Sequence, residues 1–369
     1  MPHNAAQLIA RGMDAFGKKI RGKKQMYKKL LAQAHADTSE DTIFRITDSA
    51  LFNEAIQYFG ASLDPAKARY DLQSVYEMGI HKKTGALLIC NKGATLFCLS
   101  PRTQTPYLLR HIGFSVYVPG LGIEFVNVGL VGNVYEGPVV LRSESACAPS
   151  FLFGSQRCNC AHQWASIQEL AAAFNHVDMP AMKSGSAFEG WVQKQAVRVG
   201  DQHVFKNAGP GFILVHIDTQ NGMGSGFSNG EFAFDLFSRA SLRHRGEYSS
   251  EQIHKTTMSG GFEAIGLRPD PRRENDHSGY KIGFIILDYL GVSRKIIYLT
   301  NNPLKLRHLQ DNGYEITRVS LMGEINVAGS QEARERGSDF QHIDINGTCV
   351  PFEKDLARLT SEITHILHV

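Results

Sequence analysis

The chain has 369 residues, 43% of them hydrophobic, and a formal charge of +3 from 39 Lys and Arg against 36 Asp and Glu. That length can bury one large or two moderate cores, and the near-balance of charge excludes a molecule whose overall field is built for nucleic acid or an acidic partner. No run approaches the ~18–20 apolar residues that cross a bilayer, and the first residues lack the apolar stretch of a signal peptide, so a cytoplasmic protein is expected.

Residues 5 to 60 carry apolar side chains at helical spacing (Leu8, Met13, Phe16, Ile20, Leu30, Leu31) amid charge, which predicts a helical N-terminal extension. Within it Lys18, Lys19, Arg21, Lys23, Lys24, Lys28 and Lys29 form a basic run. With Tyr27 the single aromatic residue among them, too little for a base-stacking surface, a solvated helix face is favoured over nucleic-acid contact. From about 84 to 142 the pattern changes to short β-branched and aromatic runs at 86–90, 95–98, 114–118 and 137–141, punctuated by Gly, Pro and Asn, which read as strands of a mixed or antiparallel sheet. Beyond them the reading is strand at 212–217, helix at 229–240, helix at 280–290, strand at 295–299, helix at 303–311 and strand at 314–319. An α+β (mixed α/β) fold follows. Stretches at about 171–208 and 238–275 are polar and poorly periodic and read as insertions or lids. The resulting division is a mainly helical extension over 1–83, a core over 84–325 and a C-terminal extension over 326–369.

Three of the six cysteines, Cys147, Cys158 and Cys160, fall within fourteen residues, unlike the spread framework of a disulfide-bonded secreted protein. Three thiolates can hold Zn²⁺ and leave a fourth tetrahedral position for water, the arrangement of a catalytic site. Arg157 would favour their deprotonated state. His162 as a fourth ligand would instead close the site into a structural one, and unliganded buried cysteine is the third possibility.

Arg142-Ser143-Glu144-Ser145-Ala146-Cys147 and Phe153-Gly154-Ser155-Gln156-Arg157-Cys158-Asn159-Cys160-Ala161-His162-Gln163 resemble the R-V-H-S-E-C and F-G-S-L-R-C-D-C-G-x-Q signatures of GTP cyclohydrolase II. Downstream, Leu290-Gly291-Val292 and Ile297-Tyr298-Leu299-Thr300-Asn301-Asn302-Pro303-Leu304-Lys305 are similar, in order, to that family's L-G-V and L-L-T-N-N-P-x-K segments. The resemblance covers roughly residues 85 to 325. It implies a GTP cyclohydrolase II-like core carrying the extension and insertions above, and zinc held by Cys147, Cys158 and Cys160. It further implies hydrolytic opening of the imidazole ring of a purine nucleotide, GTP foremost, as in riboflavin-type biosynthesis, by a homodimer. Mg²⁺ accompanying the nucleotide phosphates is a second candidate ion, and neither membrane nor nucleic acid is an expected partner. Arg142, Ser145, Gln163, Thr300 and Lys305 match positions where the family meets its substrate, and their chemistry suits phosphate oxygens and a purine edge. Thr300-Asn301-Asn302-Pro303 equally suits a strand-to-helix turn with a capping role.

Asp276 falls on the family's proposed proton acceptor, although an acidic residue in a charged loop is also unremarkable there. Other positions depart from the pattern. Ser278 replaces an arginine assigned to pyrophosphate release and would need a base such as His277 to act in its place; Arg272 or Arg273 could substitute for it. Met223 replaces a phosphate-binding arginine, although the loop from Asn221 through Gly222 to Gly226 still offers backbone N–H groups. Phe234 replaces tyrosine, Ala146 glutamate and Glu144 histidine. These changes leave three readings: ring hydrolysis with the triphosphate retained, action on another nucleotide or cyclic amidine, or a non-catalytic zinc-stabilised nucleotide-binding protein.

Overall fold

The structure is a computed structural model that describes residues 21–59, 71–118, 122–146, 160–177, 190–191, 194, 196–199, 202–205, 209–220, 278–321 and 350–368. Among these are seven helices and twelve strands with both parallel and antiparallel pairings, an α+β architecture. The chain divides into two compact units, Met1–Gly93 with Gly113–Glu124, and Ala94–Ile112 with Phe125–Val369.

In the first unit a helix over 21–36 (α1) precedes β1 (Ile43–Arg45), α2 (Ser49–Phe59), α3 (Leu72–Val75), β2 (Tyr76–His81) and β3 (Leu87–Asn91). Met26, Leu30 and Ala34 recur every four residues on α1 and are buried, as a helix with one apolar stripe requires. Asp48 caps α2, its carboxylate accepting from the Leu51 N–H at 2.7 Å. Phe52, Ile56 and Phe59 of α2 join Met26 and Leu30 with Met78, Ile80, Leu87 and Ile89 of the strands in one core. The strands pair antiparallel, β1 with β2, β2 with β3, and β3 with residues 114–117. The basic run is partly used inside this unit. The Lys23 ammonium lies over the Phe59 and Tyr117 rings at 5.1 and 5.2 Å, and Lys29 pairs with Glu54. Strands β1 and β2 break up a stretch whose composition reads as helical; they form because β3 offers a partner edge.

The second unit contains β4 (Ala94–Leu99), the first half of β5 (Pro106–Val118), β6 (Gly122–Val131), β7 (Val139–Ala146), α4 (Cys160–Phe174), β8 (Ala196–Val199), β9 (Gln202–Phe205), β10 (Phe212–Gln220), α5 (Ser278–Leu290), β11 (Lys295–Leu299), α6 (Pro303–Gln310), β12 (Glu315–Val319) and α7 (Phe352–His368). Strand β4 pairs antiparallel with β5, and β6 antiparallel with β10. From β10 the pairing turns parallel, in the spatial order β10, β7, β11, β12. Both faces of the parallel strands are covered, so successive residues are buried: Val139, Val140 and Leu141; Phe212 through Val215; Ile296 through Leu299. One face packs Ile167, Leu170 and Ala171 of α4 and Leu359 and Ile363 of α7 against Val140, Leu214, Ile297 and Val319.

Most strands and helices read from sequence beyond residue 84 recur within a few residues of their expected ends; the strand read at 114–118 starts eight residues earlier, at Pro106, and the helix at 229–240 and the insertion at 238–275 lie outside the described residues. Three features differ. Strand β6 (Gly122–Val131) and helix α4 (Cys160–Phe174) have no counterpart among the expected elements, α4 ending inside the stretch read as an insertion with Ala171 and Ala172 buried in the core, and β8 and β9 form an antiparallel pair within that same stretch. Helix α7 lies in what read only as a C-terminal extension. Its apolar residues at 352, 356, 359, 363 and 366 carry a helical period, and Arg358 ties it down by donating to Ser320 O at 2.8 Å while pairing with the buried Asp355. No helix among the described residues is long and apolar enough to cross a membrane.

Two outcomes follow. Leu359→Ala should lower unfolding free energy by about 2–5 kcal/mol, because a fully buried contact of α7 becomes a cavity, and urea titration measures it. Glu169 on α4 caps the β4–β5 turn, accepting from Arg102 N at 2.6 Å, Thr103 N at 3.1 Å and the Thr103 hydroxyl at 2.5 Å. Burial pushes its carboxyl up, but these hydrogen bonds together hold it below its ordinary value of 4.5. The folded state therefore binds this proton less readily than the unfolded chain. The stability advantage over Glu169→Gln should be complete above the ordinary carboxylate range and vanish as pH falls through the lowered value, as denaturation at a series of pH values will show.

Candidate active site

The order β10, β7, β11, β12 is the arrangement in which the chain leaves the first parallel strand, β7, to one side for β10 and then crosses to the other side for β11. Between β7 and β11 the connections diverge, and the crevice outside the C-terminal ends of such strands is where open α/β sheets bind ligands. The sequence motifs start at those ends. Strand β7 stops at Ala146, one residue before Cys147; β10 stops at Gln220, two before Gly222; β11 stops at Leu299, one before Thr300. The β10–β7 ladder also shifts register between Ile217 and Gln220, an irregularity of the kind found where strands end at sites.

Successive residues of β7 point to opposite faces, which sorts its side chains. Arg142 and Glu144 share the face covered by α4. Arg142 is 4% exposed, its Nη1 donates to Leu299 O at 2.9 Å, and its Nη2 is ion-paired with Glu144. In the parallel register Glu144 stands beside His216 of β10, whose ring meets Trp164 of α4 edge-on at 6.0 Å. Cys160 is the first residue of the same helix, four positions before Trp164. Ser143 faces the other way. Its hydroxyl lies 2.6 Å from the Tyr298 hydroxyl of β11, and Lys305 Nζ on α6 donates to Ser143 O at 3.1 Å and to Ser143 Oγ at 3.2 Å.

The Thr300-Asn301-Asn302-Pro303 segment forms the strand-to-helix turn. Asn302 N donates to Thr300 Oγ1 at 3.1 Å, and Pro303 takes the first helical position, where its missing N–H costs nothing. The Asn301 side chain pairs with the backbone of Leu321 in both directions, Nδ2 donating to Leu321 O at 2.7 Å and Oδ1 accepting from Leu321 N at 2.9 Å. These bonds fix the loop that carries Thr300 and Lys305.

Among the expected site residues, the structure therefore sets Arg142, Thr300 and Lys305 near the β7 and β11 ends, Arg142 on the face covered by α4 and Lys305 bonded to Ser143, whose side chain faces the other way. Ser145 is the next-to-last residue of β7, Cys160 and Gln163 lie in the first turn of α4, and Ser278 opens α5. Cys147, Cys158, Gly222 and Asp276 lie outside the described residues, as do Met223, Phe234, Arg272 and Arg273. Among the described residues there is no group of three or more metal-ligating side chains. Ser143, Tyr298 and the ion-paired role of Glu144 are additions that sequence reasoning missed. A signal existed: Ser143 and Tyr298 stand where the motifs quoted above carry valine and leucine.

Removing one member of the buried ion pair leaves the other charged in a site of low polarity. Glu144→Ala should cost about 3–5 kcal/mol in urea unfolding, and the paired change Arg142→Met with Glu144→Leu should restore most of it.

No family model matches the chain. It is 29% identical over 209 residues, 56% of its length, to the riboflavin biosynthesis protein RibBA of Bacillus subtilis (strain 168). It is also 24% and 25% identical, over 66% of its length, to GTP cyclohydrolase-2 of Xylella fastidiosa strains Temecula1 and 9a5c. The aligned parts span 38% of the first relative and 48% of each of the others. The chain is thus a distant relative of proteins named for GTP cyclohydrolase II and riboflavin biosynthesis.

Proposed function

We propose that the chain is a zinc-dependent hydrolase that opens the imidazole ring of a purine nucleotide, GTP foremost. The carrying observation is topological. Three adjacent parallel strands end one or two residues before Cys147, Gly222 and Thr300, at the point in the sheet where ligand crevices form.

The donor set fits zinc. Cys147 directly follows β7, and Cys160 opens α4, which packs on β7, so both ends of the cysteine-bearing segment are anchored to one strand. Cys147, Cys158 and Cys160 would hold the ion; when bound, it supplies a water of lowered pKa as a nucleophile at neutral pH. Lys305, fixed in the first turn of α6, is the cation suited to a phosphate oxygen, with Mg²⁺ a further neutralising charge. Gln163 offers both a donor and an acceptor to a purine edge, and Ser145 and Thr300 offer hydroxyls. Gly222 offers a backbone N–H to an anion, and Asp276 is the candidate proton acceptor. Arg142 serves in this reading chiefly to hold the strand ends, since its guanidinium is engaged by Glu144 and Leu299 O.

Ser278 and Met223 replace two arginines of the motif pattern, which favours a reaction that releases formate and retains the triphosphate. The same replacements favour a different nucleotide or cyclic amidine as the second reading. Incubation of the zinc-loaded protein with GTP, followed by mass spectrometry of nucleotide, formate and pyrophosphate, should show formate without stoichiometric pyrophosphate. Tight nucleotide binding with no turnover would replace the proposal with a non-catalytic, zinc-stabilised binding protein.

A further inference from the structure

Ser143 and Tyr298 replace two apolar residues of the quoted motifs, lie 155 residues apart, and meet hydroxyl to hydroxyl at 2.6 Å. Their placement follows from the register. Tyr298 pairs with Leu141 across β7 and β11, so Ser143 projects from the same face two residues nearer the C-terminal edge. Lysine has no acceptor, so the 3.1 and 3.2 Å contacts of Lys305 Nζ with Ser143 O and Oγ are donations from the ammonium. Ser143 Oγ can accept from Lys305 while sharing a hydrogen with Tyr298. A valine and leucine at these positions could form neither bond.

We propose that Ser143 and Tyr298 are positioning residues that hold the Lys305 ammonium at the ends of β7 and β11 to receive a phosphate of the substrate. A lysine ammonium on its flexible stem loses rotamer freedom when it engages an anion; one already held in place binds with less ordering. The inference rests on the nucleotide reading above for the identity of the anion. It does not rest on that reading for the hold on Lys305.

Two measurements test it, on the full chain with folding checked by circular dichroism. Tyr298→Phe, which keeps the ring, and Ser143→Val should each raise KM for GTP by about tenfold, with a smaller effect on kcat. In a Lys305→Met background neither should raise it further, because the effect runs through that ammonium. Brief labelling with acetic anhydride, read by peptide mass spectrometry, should modify Lys305 faster in the Ser143→Val and Tyr298→Phe proteins, with exposed Lys29 as the internal reference. Unchanged labelling of Lys305 overturns the proposal, as does a KM effect that persists in the Lys305→Met background. If the unaltered protein neither binds nor turns over GTP, the functional reading falls, and the labelling alone decides whether the two hydroxyls hold Lys305.

Discussion

Strands β7 and β11 end side by side, and what ties those ends together is a set of polar bonds where a sheet interior would ordinarily be apolar. On one face Arg142 reaches from β7 to the last carbonyl of β11 while Glu144 balances its charge. On the other, Ser143 bonds Tyr298 and receives Lys305. The residues that follow each strand are those that carry the proposed chemistry. Their relative positions depend on how firmly the two ends are joined, and a loop leaving a loosely held strand could not keep thiolates and a cation in register.

That arrangement is supported from behind by apolar packing. Helices α4 and α7 bury Ile167, Leu170, Leu359 and Ile363 against the parallel strands, and the backbone of α4 begins at Cys160. The β11–α6 loop is held by Asn301, whose amide imitates a strand pairing with Leu321, and the following segment by Arg358 bonding Ser320 O. Buried polar groups of this kind contribute little net stability but cost heavily when half-satisfied, so they specify one geometry more than they strengthen the fold. The hydrophobic core supplies the stability, and the polar ties at the strand ends supply the alignment.

Much of the second unit was legible in the residues themselves. Strands at 295–299 and 212–217, and helices at 280–290 and 303–311, stood out because alternation or helical period, Gly and Pro punctuation and length all agreed. The turn at Thr300-Asn301-Asn302-Pro303 was readable from side chains that bond their own backbone. Strands β1 and β2 were not legible, since short strands of mixed character form only where a partner edge is offered. Helix α7 had its period in the sequence and was missed because it follows a long stretch without one. The distant likeness to GTP cyclohydrolase II proteins agrees with the motifs at 24–29% identity, and its partial coverage leaves chemistry to be argued from the residues of this chain.

By itself, the sequence determined the types of group available: three closely spaced thiols, a turn built for a strand-to-helix junction, and a lysine in the first turn of the helix after it. Those are local properties, set by spacing along the chain and by each side chain's own bonding capacity. Which groups are neighbours was decided only by the parallel pairing of β7 with β11, which brings Ser143 to Tyr298 and Arg142 to Leu299 across more than 150 positions. The reason is that strand register is set by burial of both sheet faces. A one-residue slip would exchange the faces of Arg142 and Ser143, and nothing short of the packed core distinguishes the two.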